Sequence, residues 1–374
     1  MADPTRQPEP TRPPDPAGSV EGESSGSPGS SGGGVRVGVV GASGYTGTEL
    51  LRLCAAHPDF EVVAVTGDSM AGTRVRDLYP NLAAAYGDLR YSSYDRSDFA
   101  GLDLVFLGLP HGTSQPIVAE LFGRVGVVAD MGADFRLDDA SLYPTWYGAE
   151  HTHPELLPEF VYGLPEFHRE ALRGARGIAV PGCYPTAAIL ALAPLVEGGV
   201  VRSSGLIVDA ASGVSGAGRG PRANTQFCAV DENLAAYGLD GHRHTPEMDQ
   251  ALGGPVLFTP HLAPMNRGIL ATCHGQPMPA GEGLGSAEVL DVMRARYRGE
   301  PFVVVCEGSP STKAVMGSNV AQVGARVDSR TGLVTAFCAI DNLCKGSAGG
   351  AIQSANIALG LDERSGLPLV GLLP

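Results

Sequence analysis

Short β-branched runs alternate with a helical pattern in the first part of the chain. Residues 35–40 (VRVGVV) predict a buried strand, residues 46–56 carry leucines at helical spacing, and residues 61–65 (EVVAV) predict a second strand. This order predicts a parallel βαβ unit with a right-handed crossover. Because further strands are expected at 104–109 and 125–130, this part of the chain is predicted to form a Rossmann-like, doubly wound α/β domain.

The pattern changes after about residue 180, where strand candidates follow one another with fewer helices between them. Such a run predicts a mixed or largely antiparallel sheet in an α+β second domain. An Ala-rich pattern over residues 347–359 predicts a helix that returns to the first domain. The chain therefore divides into a first domain (35–182 and 345–374) and a second domain (183–344). The later strand candidates are 206–211, 255–258, 268–274, 302–306, 319–327 and 333–340.

Composition changes this picture at the N-terminus and excludes several classes of function. Pro, Gly and Ser fill 20 of the 34 positions in residues 1–34, so this segment has too little apolar surface to fold and is predicted to be a disordered tail. The formal net charge of the chain is −14, which disfavours binding to nucleic acid or to an anionic membrane.

The seven cysteines are scattered along the chain, and none forms a Cys-x-x-Cys pair. An odd number at irregular spacing argues against a disulfide framework and favours reduced thiols. The sequence also has no apolar run long enough to span a membrane and no basic-then-apolar signal pattern at its N-terminus. These features predict a cytoplasmic protein.

A glycine-rich turn, GASGYTG, joins the first predicted strand to the first predicted helix. In this context glycines let the backbone approach a pyrophosphate, and the helix N-terminus supplies N–H donors and a positive dipole end. The spacing is G-x-x-G-x-x-G, and the alternative is a tight turn that binds no cofactor. The residues predicted to contact a dinucleotide are Gly41, Ser43, Gly44, Tyr45, Thr46 and Gly47.

Polar residues after the second predicted strand bear on the identity of the dinucleotide. Asp68 would bind the free ribose 2′-hydroxyl of NAD, whereas Ser69 and Arg74 would hold the 2′-phosphate of NADP. Ordinary loop polarity is the alternative for all three residues. From these residues alone, the choice between NAD and NADP stays open.

Cys183 differs from the other six cysteines, which lie in apolar segments typical of small buried side chains. It precedes an apolar helical run, and Pro185 suits the first turn of a helix. Cys183 is therefore predicted at a helix N-terminus, which favours the thiolate and lowers the thiol pKa. Beside a dinucleotide, such a thiolate can attack an acyl phosphate to form a thioester, which a reduced nicotinamide converts to an aldehyde.

A dense polar cluster, GHRHTPE, spans residues 241–247. His242 is the candidate base for the Cys183 thiol, and His244 and Glu247 are candidates for orienting the substrate. Two histidines and a carboxylate also suit a metal site, and a solvated loop is the third interpretation. Between these, we predict a catalytic cluster without a metal.

Two arginines follow loops that are expected at the ligand crevice. Arg136, in GADFR, is predicted to bind the leaving phosphate, and Arg219, which ends the Gly-rich loop SGVSGAGR, is predicted to bind a substrate carboxylate. Ser212 and Gly213 at the start of that loop are predicted to line the nicotinamide. His111, in LPHG, is either a further crevice residue or a passive loop residue.

Together these motifs resemble the N-acetyl-gamma-glutamyl-phosphate reductase family, and the resemblance covers residues 35–374. The order of GCYPT and HRHTPE is its most specific part. The motifs that carry it are GASGYTG (41–47), LPHG (109–112), GADFRL (132–137), VPGCYPTA (180–187), SGVSGAGR (212–219), HRHTPE (242–247) and IDNLCKGSAGGAIQ (340–353).

The resemblance implies a nucleotide domain that the C-terminal helix completes, and a second domain for catalysis and for assembly into a homodimer or homotetramer. It implies Cys183 as nucleophile, His242 as base and NADPH as hydride donor. The implied reaction converts the small acyl phosphate N-acetyl-L-glutamyl 5-phosphate to N-acetyl-L-glutamate 5-semialdehyde and phosphate, in arginine biosynthesis.

Looser analogy with aspartate semialdehyde dehydrogenases supports Arg136 as the phosphate ligand and implies that Asn342 lies near the nicotinamide. Asp68 departs from the pattern, because an acid is unfavourable beside a 2′-phosphate. Two alternatives stay open: another acyl-phosphate reductase, and an NADP-binding sensor without catalytic activity.

Overall fold

The structure is a computed structural model that describes residues 34–374. The expectation of a disordered tail over residues 1–34 lies outside the described residues, apart from Gly34. The strands are β1 (Val35–Val40), β2 (Phe60–Val65), β3 (Leu104–Leu107), β4 (Val127–Asp130), β5 (Phe160–Tyr162), β6 (Gly177–Ala179), β7 (Leu206–Gly213), β8 (Ala235–Ala236), β9 (Val256–Ala263), β10 (Ile269–Gly275), β11 (Val303–Val305), β12 (Ala321–Val327) and β13 (Val334–Ile340). The helices are α1 (Tyr45–Cys54), α2 (Val75–Leu78), α3 (Ala83–Tyr86), α4 (Ser114–Leu121), α5 (Tyr143–Tyr147), α6 (Pro165–Leu172), α7 (Cys183–Glu197), α8 (Phe227–Val230), α9 (Thr245–Leu252), α10 (Ser286–Arg296), α11 (Thr312–Val315) and α12 (Gly349–Ala358), with a π-helix at Cys344–Ala348.

The first sheet has six parallel strands in the order β2-β1-β3-β4-β6-β5. From β1 the chain crosses to β2 on one side and then to β3 on the other. This reversal opens a crevice at the carboxyl ends of β1 and β3, where ligands bind in doubly wound sheets. The predicted doubly wound domain is confirmed. Sequence analysis missed β5 and β6, because strands of three residues are too short to show a period.

The second sheet has seven strands in the order β11-β12-β13-β10-β7-β9-β8. Its pairs are antiparallel except for β7 with β9 and β11 with β12, which confirms the predicted mixed sheet. The fifteen-residue helix α7 is buried along nearly all of its length and packs against this sheet. A helix that is apolar all round suits such a fully enclosed position.

The end of the chain packs against the first sheet. Ile352 and Ala355 of α12 share one apolar cluster with Val37, Leu51 and Ile178. Helix α12 thus returns from the second sheet to the first, while the exact domain boundaries stay a prediction. Within residues 34–374, none of the helices combines the length and the apolar character that a membrane crossing needs.

Candidate active site

The nucleophile turn, residues 180–183, links β6 to α7. Gly182 is the N-cap of α7, and Cys183 is its first residue. A Cβ atom at position 182 would lie 2.6 Å from Nε2 of His244, so this position has room for glycine alone. Because Cys183 is the first residue of α7, its predicted position at a helix N-terminus is confirmed.

The predicted lowering of the Cys183 pKa is wrong for the unliganded protein. Burial raises the pKa of this thiol to about 11, although the positive charge of Arg136 opposes the rise. Desolvation penalises a thiolate more than one helix terminus can offset. Cys183 is thus a neutral thiol at physiological pH and needs a partner that removes its proton.

Cys183 opens into a pocket of about 360 Å³. Four other predicted site residues share this pocket: His242, His244, Ser212 and Gly213. Arg136, Arg219 and Glu247 lie outside its lining. The remaining lining residues are Tyr184, Gly216, Ala217, Arg222, Asn224, Tyr237, Gly241, Arg243 and Leu262.

His242 is a neutral imidazole with a defined tautomer. Burial and the charge of Arg243 lower the pKa of His242 to about 4. Its Nδ1 accepts the backbone N–H of His244 at 3.1 Å, so the neutral ring carries its proton on Nε2. This form can donate to an oxyanion, whereas uptake of a thiol proton at Nε2 requires the other tautomer and breaks the bond from His244.

His244 is buried against the nucleophile turn. The residue is only 7% exposed, and burial, with the nearby charges of Arg136 and Arg243, lowers its pKa well below the ordinary value. The ring is therefore neutral. It packs against Gly182 and lines the floor of the pocket, where its role as a substrate ligand stays a prediction.

Arg136 does not face the pocket, in contrast to its predicted role as a phosphate ligand. Its side chain is buried, and its guanidinium donates to Val180 O, Met131 O and Glu247 Oε1 at 2.8–2.9 Å. Three of its five N–H groups are thus engaged inside the protein. The carboxyl end of β4 does carry Arg136 towards the crevice as expected, but the side chain turns into the interior.

Glu247 is also an interior residue and not a substrate ligand in this conformation. It is fully buried and accepts hydrogen bonds from the backbone N–H of Gly182 at 2.9 Å, from Tyr162 Oη at 3.1 Å and from Arg136 at 2.9 Å. Its carboxylate therefore binds the residue that precedes the nucleophile.

The Gly-rich loop borders the pocket with Ser212 and Gly213 as predicted. Asn342 lies beside this loop. Its Oδ1 accepts the N–H of Gly268 at 2.7 Å, and its Nδ2 donates to Ser215 Oγ at 3.0 Å. Asn342 thus fixes the loop, and its contact with a nicotinamide stays a prediction.

The glycine turn joins β1 to α1 as predicted. Gly41 has φ +78°, and a Cβ there would lie 2.5 Å from Gly108 O. A Cβ on Gly47 would lie 2.5 Å from Ala42 Cα, whereas one on Gly44 would meet only Gly41 O, at 3.7 Å. Gly41 and Gly47 are therefore needed by the fold, and Gly44 leaves open space above the turn.

Among residues 34–374, no side chain caps the N-terminus of α1, so its first N–H groups remain available to a phosphate. Two residues that sequence analysis did not single out hold the turn in place. Thr66 Oγ1 accepts the N–H of Gly41 at 3.1 Å, and Tyr79 Oη donates to Ser43 O at 2.8 Å. The residues present thus fit a dinucleotide phosphate.

Arg219 lies beside this turn and not beside Cys183, which corrects its predicted place at the substrate. It shares a cavity of about 330 Å³ with Tyr45, and its charge opposes the burial that raises the pKa of Tyr79. Of the residues expected near a 2′-phosphate, Ser69 is exposed, while Arg74 pairs with Asp77 at 2.9 Å.

Sequence analysis also missed two arginines of the nucleophile pocket, Arg222 and Arg243. Arg243 lies inside the HRHTPE motif, which was the available signal. Arg222 comes from a segment without a motif, and only the fold brings it to Cys183. Neither arginine lies within 4 Å of a carboxylate in residues 34–374, and the same residues hold no group of three or more His, Cys, Asp and Glu suited to a metal ion.

His111 belongs to a polar network at the carboxyl ends of β3 and β4. Its Nδ1 lies 2.7 Å from Asp134 Oδ1, and Ser114 Oγ lies between Asp134 and Asp130, 2.7 Å from one and 3.1 Å from the other. Burial and the charge of Asp134 raise the pKa of Asp130 to about 7. His111 therefore has a structural partner at the crevice.

Comparison with known proteins agrees with this architecture. A family model described as the NAD binding domain of semialdehyde dehydrogenase matches residues 36–175, and one described as its dimerisation domain matches residues 183–342. Aspartate semialdehyde dehydrogenase II from Vibrio cholerae, complexed with ASA, superposes with a TM-score of 0.63 at 19% identity over 87% of this chain and 98% of that chain. Aspartate semialdehyde dehydrogenase with NADP from Candida albicans gives 0.62 at 16% identity over the same shares. The fold and the site define a semialdehyde dehydrogenase.

Relatives of higher identity narrow this class. Proteins named N-acetyl-gamma-glutamyl-phosphate reductase from Azotobacter vinelandii and Pseudomonas aeruginosa are each 47% identical over 348 residues, which is 91% of this chain and 100% of each relative. One from Symbiobacterium thermophilum is 47% identical over 342 residues, 89% of this chain and 97% of that relative. The chain belongs to the N-acetyl-gamma-glutamyl-phosphate reductase family.

Proposed function

We propose that the protein reduces N-acetyl-L-glutamyl 5-phosphate to N-acetyl-L-glutamate 5-semialdehyde and phosphate, with NADPH as hydride donor, as a step of arginine biosynthesis. The observation that carries the proposal is the pocket that joins the Cys183 thiol, the neutral imidazole of His242 and two arginines that have no carboxylate within 4 Å among residues 34–374. The names of the relatives supply the identity of the acyl group.

The reaction begins with a neutral thiol. Because the pKa of Cys183 is about 11 and that of His242 about 4, a stable thiolate–imidazolium pair does not form in the free protein. His242 therefore takes the proton as Sγ attacks the acyl carbon, after its ring has moved to the tautomer that leaves Nε2 free. The carbon–oxygen bond to phosphate breaks, phosphate leaves with the bonding electrons, and a thioester remains on Cys183.

Arg222 and Arg243 bind the anionic groups of the substrate, because they are the pocket's positive side chains. Arg136 is not assigned this role, since its donors are engaged inside the protein. When the thiohemiacetal that follows reduction collapses, the carbon–sulfur bond breaks. The oxygen of the thiohemiacetal becomes the aldehyde carbonyl, sulfur leaves with the bonding electrons, and the proton held by His242 returns to sulfur.

The glycine turn holds the cofactor phosphates through Gly41, Ser43, Gly44, Tyr45, Thr46 and Gly47. NADPH supplies the hydride that reduces the thioester. Arg219 belongs on the cofactor side, where its charge favours the additional phosphate of NADPH over NADH; Ser69 is the second candidate for that phosphate. Ser212, Gly213 and Asn342 shape the nicotinamide side of the pocket.

The protein assembles as a homodimer or as a homotetramer. The match to a dimerisation domain supports this, as do large apolar side chains that are exposed in the single chain: Phe227, Leu234, Leu239 and Leu257. Free thiols at all seven cysteines support a cytoplasmic location. Light scattering on the purified protein tests the assembly, and a monomer at micromolar concentration contradicts it.

The test of function uses the reverse direction, in which the substrates are stable. Reduction of NADP⁺ is followed with phosphate and either N-acetylglutamate semialdehyde or aspartate semialdehyde, and then with NAD⁺ in place of NADP⁺. We expect the highest kcat/KM with the N-acetylated semialdehyde and NADP⁺. A preference for aspartate semialdehyde identifies another acyl-phosphate reductase, and cofactor binding without turnover identifies a sensor.

A further inference from the structure

The nucleophile turn is held from two sides by one buried ion pair. On one side, Arg136 Nε donates to Val180 O at 2.8 Å; on the other, Glu247 Oε2 accepts the N–H of Gly182 at 2.9 Å. Arg136 and Glu247 bond to each other at 2.9 Å across 111 residues of sequence. Both side chains are buried, so the pair is shielded from water and from salt.

The same pair also ties the base to the nucleophile. Glu247 is the third residue of α9, and His242 precedes that helix by three residues. A hydrogen bond from Gly182 to Glu247 therefore fixes the start of α9, and with it the His242 segment, to the residue before Cys183. Tyr162 Oη donates to the same carboxylate at 3.1 Å, so the first sheet takes part as well.

We infer that Arg136 and Glu247 are positioning residues for the reaction, which set the separation of Cys183 and His242 and the electrostatic balance at the thiol. The inference rests on the proposed function for its kinetic consequence. Neither side chain lines the nucleophile pocket. A buried charge with the opposite partner removed is strongly unfavourable, which explains why both are present.

The two charges of the ion pair have opposite effects on the ionisation of the Cys183 thiol. The Arg136 charge favours the Cys183 thiolate and the Glu247 charge disfavours it, so the two charges act on the thiol in opposite directions, with that of Arg136 the stronger. Replacing Glu247 by Gln leaves the arginine charge unopposed and favours the thiolate. Replacing Arg136 by Gln leaves the carboxylate unopposed and favours the neutral thiol.

The variant Glu247→Asp distinguishes the effect of Glu247 on the position of the reacting groups from the effect of its charge. This variant keeps the negative charge, but its side chain is one methylene shorter and cannot reach both Gly182 N–H and Arg136. A displacement of about 1 Å between reacting groups lowers turnover by up to about 100-fold. Glu247→Asp should therefore lower kcat by roughly 10- to 100-fold, with the KM for the semialdehyde and the dissociation constant of NADPH unchanged.

The experiment measures carbamidomethylation of Cys183 by iodoacetamide at pH values from neutral to mildly alkaline, where the rate is proportional to the thiolate fraction. Peptide mass spectrometry follows Cys183, and exposed Cys228 in the same digest is the internal reference. We expect faster modification in Glu247→Gln, slower modification in Arg136→Gln, and a wild-type rate in Glu247→Asp. Tyr162→Phe, which removes only the hydroxyl group, should lower kcat a few-fold and serves where a charge variant fails to fold.

Modification rates that do not move in opposite directions in the two charge variants overturn the electrostatic inference, and a wild-type kcat in both Glu247→Asp and Tyr162→Phe overturns the geometric one. The proposed function is tested separately, because alkylation needs no acyl phosphate. If the wild-type protein fails to turn over the semialdehyde while the alkylation rates shift as expected, the proposed function fails and the electrostatic inference stands.

Discussion

The nucleophile turn and the glycine turn are both short links between a parallel strand and a helix, yet they are built in different ways. The glycine turn depends on backbone: Gly41 and Gly47 sit where a Cβ would collide with main-chain atoms. The nucleophile turn depends on distant side chains, because Arg136 and Glu247 reach it from other elements. Side chains from other elements contact both turns, but those at the glycine turn, Thr66 and Tyr79, are uncharged, whereas Arg136 and Glu247 form a buried ion pair.

This difference affects the chemistry available at each turn. Uncapped N–H groups at the start of α1 suit a bound anion without any change in protonation. At the start of α7, burial instead holds Cys183 as a neutral thiol, so reaction there requires a proton transfer. The glycine turn is therefore suited to binding an anion, and the nucleophile turn is suited to a reaction that includes a proton transfer.

We expect the greatest change from a substitution in the glycine turn, where it lowers the stability of the fold. Gly47→Ala places a Cβ 2.5 Å from Ala42 Cα, and backbone must move to admit it. We expect a loss of about 3 kcal/mol in the free energy of unfolding, measured by urea denaturation. Gly44→Ala is the matched control: its Cβ has space, so stability is kept while NADPH affinity falls. Equal stability of the two variants would contradict the distinction between Gly47, which the fold requires, and Gly44, which it does not.

The second effect concerns the cations of the nucleophile pocket. Arg243→Ala should lower kcat/KM for the acyl substrate by roughly 10- to 100-fold, because a charge-assisted contact contributes about 1.5–3 kcal/mol. Steady-state kinetics measure it, with exposed Arg330→Ala as the control. If Arg243→Ala behaves like the control, the anionic groups of the substrate bind elsewhere.

The third effect concerns the hydrogen-bond network of Ser114, Asp130 and Asp134. Ser114 has one hydroxyl proton to share between Asp130 and Asp134, so a protonated Asp130 completes the network. Burial and Asp134 raise the pKa of Asp130 from 3.8 to about 7, with Arg136 opposing. The stability that this group contributes is fully present below about pH 4 and is lost as pH rises towards 7.

Asp130→Asn removes this loss, since its amide supplies the same donor without ionising. We expect the variant to gain stability over the wild type from about pH 4 to 7 and to hold a gain on the order of 2 kcal/mol above pH 7. Urea denaturation at several pH values gives the difference. A gain that is independent of pH would show that Asp130 is ionised throughout.

The smallest effect concerns cofactor choice. Arg219→Ala should weaken NADPH binding about tenfold and NADH binding much less, because the lost charge faces the additional phosphate. Titration of nucleotide fluorescence measures both affinities. Arg74→Ala is the control, since Arg74 already pairs with Asp77. Equal losses for NADPH and NADH would place Arg219 at the pyrophosphate.

The features that could be predicted from the sequence are those that depend on a pattern of consecutive residues. The strand–glycine–helix order around Gly41 and the helix start at Cys183 follow from local pattern and were confirmed. Sequence analysis failed at Arg136, because a motif shows that an arginine follows a strand but not whether its side chain faces the crevice or the interior. The Cys183 pKa was misjudged for a related reason, since burial depends on packing by α9 and the second sheet.

The proposed mechanism depends on acylation of Cys183. Purified protein is mixed with N-acetylglutamyl phosphate in the absence of NADPH, quenched in acid and digested for mass spectrometry. We expect one N-acetylglutamyl group on the Cys183 peptide, its absence in Cys183→Ser, and its removal when NADPH is added. An acyl group on another residue, or turnover retained by Cys183→Ser, would contradict it.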